Sequence, residues 1–117
     1  MVVTNHVFWR FGNASGPGRI RPSDLGEDPI GPFRPENPQD IVLGVSVFRW
    51  PELSGLTGKR WRLPAGTVLP EGLGIHADGS DAGGQGPLGH ALLFPTECMS
   101  HAKFCALVQG LPWERGW

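Results

Sequence analysis

Apolar residues in this chain come in short runs separated by glycine and proline, a pattern that predicts strands and leaves room for one helix. Residues 2–11 (VVTNHVFWRF) are rich in β-branched and aromatic side chains and stop at Gly12-Asn13, which predicts a first strand. Residues 40–50 (DIVLGVSVFRW) form an apolar run suited to a strand buried on both faces, interrupted at Gly44. Lys59–Leu63 alternates charged and apolar residues, as a half-exposed strand does. A turn at Ala65-Gly66 separates it from two further strands, at Leu73–Ala77 and residues 88–94.

Between these runs lie two stretches of a different kind. Residues 13–39 carry Pro17, Pro22, Pro29, Pro32, Pro35 and Pro38. Each proline removes a backbone donor and turns its predecessor away from helical angles, so a long surface loop is expected. Residues 78–89 are glycine-rich and predict a flexible loop. The one helical signal begins at Pro95-Thr96-Glu97, with Thr96 as N-cap and Glu97 at the positive end of the helix. It places Cys98, Ala102, Cys105 and Val108 on the buried stripe, Ser100 and Lys103 outside, and ends at Gly110 and Pro112. The fold class is therefore α+β: short, mostly antiparallel strands with one C-terminal helix, in a single domain over residues 1–117 without internal repeats.

A chain of 117 residues can bury one modest core. Its 18 glycines and 12 prolines approach a low-complexity composition, but five Trp and six Phe are more than a disordered segment carries. The net charge of −1 argues against an obligate nucleic-acid binder and against docking on an anionic membrane. The first ten residues lack the basic-then-apolar pattern of a signal peptide, and no apolar run reaches the ~20 residues of a membrane span. Cys98 and Cys105, two turns apart in the expected helix, would be about 10 Å apart and too distant for a disulfide. They read as buried free thiols of a reducing compartment.

Neither a phosphate-cradling glycine loop nor a dinucleotide fingerprint is present. Cys98, His101 and Cys105 stand at helical spacing, but the buried-thiol reading takes precedence and no metal site is expected. A nucleophilic Cys–His pair is set aside, because no acidic residue is obviously placed to orient a histidine. Lys59-Arg60-Trp61-Arg62 reads as the solvated face of a strand. More informative are polar residues at expected strand positions: Arg10 after Phe8-Trp9, Ser46 within an apolar run, and His90 at a strand start. Polar groups placed there must be satisfied internally or serve a ligand.

Four stretches, in this order, resemble a known family. They are Phe8-Trp9-Arg10; Gly44-Val45-Ser46-Val47-Phe48; Ala65-Gly66-Thr67-Val68-Leu69-Pro70-Glu71-Gly72-Leu73; and His90-Ala91-Leu92-Leu93-Phe94-Pro95 ahead of a helix. The chain is similar to the small NAD-dependent toxins delivered by type VI secretion, which carry an ADP-ribosyltransferase-like fold, and to related C-terminal domains of polymorphic toxins. The resemblance implies NAD as substrate, with Arg10 and Trp9 in its binding site and Arg10 on its phosphates or nicotinamide ribose. It implies that Ser46 bonds the ribose or carboxamide, that His90 also binds NAD, bonding a ribose hydroxyl or polarising the reacting centre, and that Ser46 and His90 take part in cleaving the nicotinamide–ribose bond. ADP-ribose would pass to a target macromolecule or to water, in the cytoplasm of the producing or the receiving cell, and a cognate immunity protein would be the partner. Arg34 and Arg49 are further pocket candidates, and residues 78–89 the expected target-recognition turn. The chain differs from the family pattern at Val45, where the family has Thr, and its nearest carboxylate after His90 is Glu97, at the start of the helix.

Two other classes remain open on sequence alone. Trp50, Trp61, Trp113 and Trp117 could form the face of a non-catalytic protein-interaction module. The basic run at Lys59–Arg62 could hold a nucleic-acid backbone while Trp61 stacks on a base.

Overall fold

The computed structural model describes residues 2–117. Among these residues seven strands form one sheet: β1 (Phe8–Asn13), β2 (Gly16–Pro17), β3 (Val45–Phe48), β4 (Lys59–Leu63), β5 (Leu73–Ala77), β6 (His90–Pro95) and β7 (Glu114–Arg115). Their order is β5-β6-β3-β1-β4-β7, with β2 folded back on β1, and every strand pair is antiparallel. One helix, α1 (His101–Gln109), completes an α+β arrangement of short antiparallel strands. No helix among the described residues is long and apolar enough to cross a membrane.

The core lies on one face of the sheet. Val45 and Val47 of β3, Ala91 and Leu93 of β6, Phe8 of β1 and Leu63 of β4 point into it and are buried. The strand alternation selects this face, since residues two apart share a side. α1 closes it with Phe104 and Val108. β4 and β5 keep the bounds that their residue patterns predict, as does the turn at Ala65-Gly66.

Four local expectations need correction. The first strand begins at Phe8, not at residue 2, because the chain bends at Asn5-His6. Ahead of that bend, Val3 bridges Val68, and Thr4, 2% exposed, donates through Oγ1 to the Pro64 carbonyl at 3.0 Å. The apolar run 40–50 contributes only Val45–Phe48 to the sheet, and Ile41 is exposed. Residues 13–39 are mostly exposed, as expected of a surface loop, but they also form a strap that buries Ile20, Leu25 and Ile30 against the core. Ile30 exchanges backbone hydrogen bonds with Met99 at 2.8 and 3.0 Å. The prolines do exclude an α-helix there, leaving a 3-10 turn at Pro22–Asp24.

The helix is the fourth correction. It starts at His101, because the backbone of Met99 is already spent on Ile30 and cannot join a helical ladder. Ser100, rather than Thr96, is the N-cap, accepting from the Lys103 amide at 3.1 Å. Cys98 therefore lies outside the helix and is exposed, Ala102 is exposed, and Cys105 is half-buried; both thiols are free. Replacing Ser100 with alanine should cost about 1 kcal/mol, read as a lower urea midpoint with an unchanged slope.

Candidate functional site

Hydrogen-bond alternation along β3 decides which way Ser46 faces. Arg49 donates its amide to the Gly89 carbonyl at 3.0 Å, one step beyond the β3–β6 register that pairs Phe48 with His90 and Ser46 with Leu92. Antiparallel pairs alternate between bonded and non-bonded, so Val45 and Val47 bond to β6 while the backbone polar groups of Ser46 and Phe48 point the other way, toward β1. There β1 and β3 pair at one position only, Trp9 with Phe48. Below that pair the strands part, and the sheet has a seam.

Arg10 fills the seam. Its Nη1 donates to the Ser46 carbonyl at 2.9 Å, and its Nε and Nη2 donate to the Gly18 carbonyl at 3.3 and 3.2 Å. The guanidinium thus replaces the ladder bonds that β1 no longer supplies and ties the β2 hairpin to β3. Burial lowers the Arg10 pKa from the usual guanidinium value, and nearby Asp24 pulls it back upward.

A cleft of about 830 Å³ opens over the seam, lined among others by Arg10, Phe11, Arg19, Arg21, Asp24 and Ser46. A smaller one of about 240 Å³ adjoins it and shares Arg10, Asp24 and Ser46. Three arginines face one carboxylate in the larger cleft, so it favours an anion, while Phe11, Phe48 and Leu56 give it an apolar wall.

Behind Ser46 stands His90, its side chain 12% exposed, edge-on to the Phe48 ring at 5.3 Å. Its Nε2 is 2.9 Å from Ser46 Oγ, and its Nδ1 is in contact with Asp78 Oδ1. An ionised Asp78 only accepts, which makes Nδ1 the donor and leaves Nε2 to accept from the Ser46 hydroxyl. Asp78 follows β5 directly and lies opposite His90 in the β5–β6 register, where the amides of Asp78 and Gly79 both reach the His90 carbonyl, at 3.2 and 3.0 Å. The connecting loop 78–89 is ordered by its own bonds: the Gly86 amide to the Asp78 carbonyl at 2.9 Å, and the Gly89 amide to Asp81 Oδ1 at 2.6 Å. Close approach requires glycine at Gly84, where a Cβ would stand 2.1 Å from the Asp78 carbonyl oxygen, and leaves little room at Gly86, where one would stand 3.0 Å from that oxygen and 3.2 Å from His90 Nδ1. The flexible loop expected from composition is a tight brace for the Asp78–His90 pair.

The structure therefore brings together Arg10, Ser46 and His90 from three strands. Trp9 is not among the residues lining either cleft; its ring packs on Gly116. Arg49 lies over the Trp50 ring and 3.8 Å from Asp81, Arg34 is exposed on the strap, and Glu97 pairs with Lys103 at 3.0 Å. Sequence reasoning missed Asp78, Asp24, Arg19 and Arg21. Asp78 had a signal: pairing Leu73–Ala77 with the following strand as a hairpin sets it across from His90. Asp24 and the two arginines had none, because their placement depends on the path of the strap.

The tryptophans are mostly used inside the fold. Trp61 is buried and donates to the Asn13 carbonyl at 2.8 Å, Trp113 donates to Val108 at 2.9 Å, and Trp50 packs on Gly89; only Trp117 is exposed. Trp61 is thus not available to stack on a base, and Arg62 of the basic run pairs with Glu114. Compared with protein-family models, with curated proteins and with solved structures, the chain has no match.

Proposed function

We propose that this chain is an antibacterial NAD-consuming toxin with a reduced ADP-ribosyltransferase-like fold, cleaving the nicotinamide–ribose bond and passing ADP-ribose to a target macromolecule or to water. The observation that carries the reading is the seam cleft, a cationic, aromatic-walled space lined by Arg10 and Ser46, with His90 behind Ser46 and bonded to its hydroxyl; these are the residues named by the family resemblance. Its volume of about 830 Å³ suits a dinucleotide-sized ligand.

In this reading Arg19 and Arg21 take the pyrophosphate, since guanidinium forks match phosphate oxygens. Phe11 and Phe48 flank the nicotinamide ring. Ser46 bonds the ribose, with His90 holding its hydroxyl in place. As nicotinamide leaves with the bonding electron pair, positive charge develops on the sugar. Asp24, the only carboxylate among the described residues that line the two clefts, faces that charge. A cognate immunity protein would act by covering the same opening.

The test is nicotinamide release by the purified protein, with calorimetry for NAD binding. Wild type should bind NAD and release nicotinamide. Asp24→Asn should slow release by at least about 100-fold, and Arg19→Ala should weaken NAD binding about tenfold. A folded wild-type protein that neither binds NAD nor releases nicotinamide sinks the reading.

A further inference from the structure

We propose that Ser46 is also a nucleophile in its own right, and that the seam cleft hydrolyses carboxylic esters bearing an anionic group. This activity requires no NAD and rests on a different observation, the chain of contacts from Asp78 through His90 to Ser46.

A strand serine bonded to a histidine can be a purely structural pair. Three features of this one go further. With Asp78 at Nδ1, a neutral His90 ring turns Nε2 to Ser46 as acceptor, the arrangement that lets an imidazole take a hydroxyl proton. Asp78 is itself held by a loop whose glycines let the backbone approach closely enough to place it. Ser46 also lines both clefts and is only half-buried, so the residue borders an accessible space and is not sealed in the core.

The remaining needs of acyl transfer are met from the same seam. The Ser46 amide points toward β1, past the end of the β1–β3 ladder, and the Arg10 guanidinium lies beside it on the Ser46 carbonyl. An amide donor and a cation there oppose the negative charge of a tetrahedral intermediate. Arg19 and Arg21 supply the preference for an anionic substrate, and Leu56 with Phe11 the apolar contact.

The steps balance without a cofactor. Ser46 Oγ bonds to the ester carbonyl carbon as its proton passes to His90 Nε2. The tetrahedral intermediate collapses, the C–O bond to the alcohol breaks, and the alcohol leaves with the proton from His90. Water then attacks the acyl-serine, giving its proton to His90, and the carboxylic acid is released as Ser46 recovers a proton. Asp78 is a positioning residue throughout, holding the ring and stabilising its protonated form.

A fluorophosphonate probe tests the nucleophile directly: Ser46 Oγ displaces fluoride at phosphorus, and peptide mass spectrometry locates the adduct. Wild type should carry the adduct on Ser46, and Ser46→Ala should carry none there. Asp78→Asn, with its fold verified by circular dichroism and thermal melting, should label at least 100-fold more slowly. The same variant should lower kcat for mono-4-nitrophenyl succinate while leaving KM within about twofold, a split that a merely structural contact would not give. Wild type should hydrolyse that anionic ester at least tenfold more efficiently than 4-nitrophenyl acetate. An unlabelled Ser46 in folded wild type, undiminished labelling in Asp78→Asn, or equal turnover of the two esters overturns the proposal. Nicotinamide release is read separately, so failure of either activity leaves the other result standing.

Discussion

Leu25→Ala should destabilise the protein by about 3 kcal/mol, within the range of about 2–5 kcal/mol for truncating a fully buried leucine. Leu25 sits in the proline-rich strap, outside every strand and helix, yet it is only 1% exposed and belongs to the central cluster with Val47, Leu93 and Phe104. Truncation removes apolar contact and leaves a void that close-packed neighbours fill only in part. A domain of this size has a total stability on the order of 5–15 kcal/mol, so the loss would move the urea midpoint substantially while leaving the slope unchanged. Ile41→Ala is the matched control. Ile41 is 78% exposed, and its truncation should stay within about 0.5 kcal/mol of wild type. A Leu25→Ala variant no weaker than the Ile41 control would show that the strap is not part of the core.

Gly44→Ala should be of similar size for the opposite reason, too much volume instead of too little. A Cβ at Gly44 would stand 2.0 Å from the Leu93 carbonyl oxygen and 3.3 Å from the Phe94 Cα, both backbone atoms that no rotamer change can move. β3 must then shift away from β6, at a cost of about 3 kcal/mol, the upper end of the usual overpacking penalty. The displaced strand carries Ser46 and its neighbour carries His90, now 2.9 Å apart through their side chains. The variant should therefore lose nicotinamide release even at temperatures where circular dichroism still reports a folded sheet. Full activity in a stable Gly44→Ala protein would mean that the β3–β6 spacing does not set the site.

The sequence was most legible where local pattern and tertiary role agree. β4 alternates visibly, and its bounds follow from Lys59–Leu63 alone. β5 is equally well marked by the glycine and aspartate around it. The strap was illegible because Ile20, Leu25 and Ile30 follow neither the strand period nor the helix period, so nothing local marks them as buried. The helix start was misread for a similar reason: Thr96 and Ser100 are both chemically competent caps, and a backbone bridge from Met99 to Ile30, distant in sequence, chooses between them. In the site, Arg10, Ser46 and His90 stood out as polar residues in apolar runs. Asp24, Arg19 and Arg21 did not, since polar residues in a proline-rich stretch look unremarkable until the chain path places them over a cleft.

The seam between β1 and β3 divides chemistry as well as space. The reacting groups Ser46, His90 and Asp78 belong to β3, β6 and the end of β5, on one side. The arginines and Asp24 belong to β1 and the chain that follows β2, on the other. Within the sheet only one ladder pair and one guanidinium join the two, and the shared core joins them beneath it, so substitutions that reshape the strap's charged rim need not disturb the register that holds the histidine. Such a chain can drift in what it grips while keeping how it reacts, and relatives should differ most along residues 18–24.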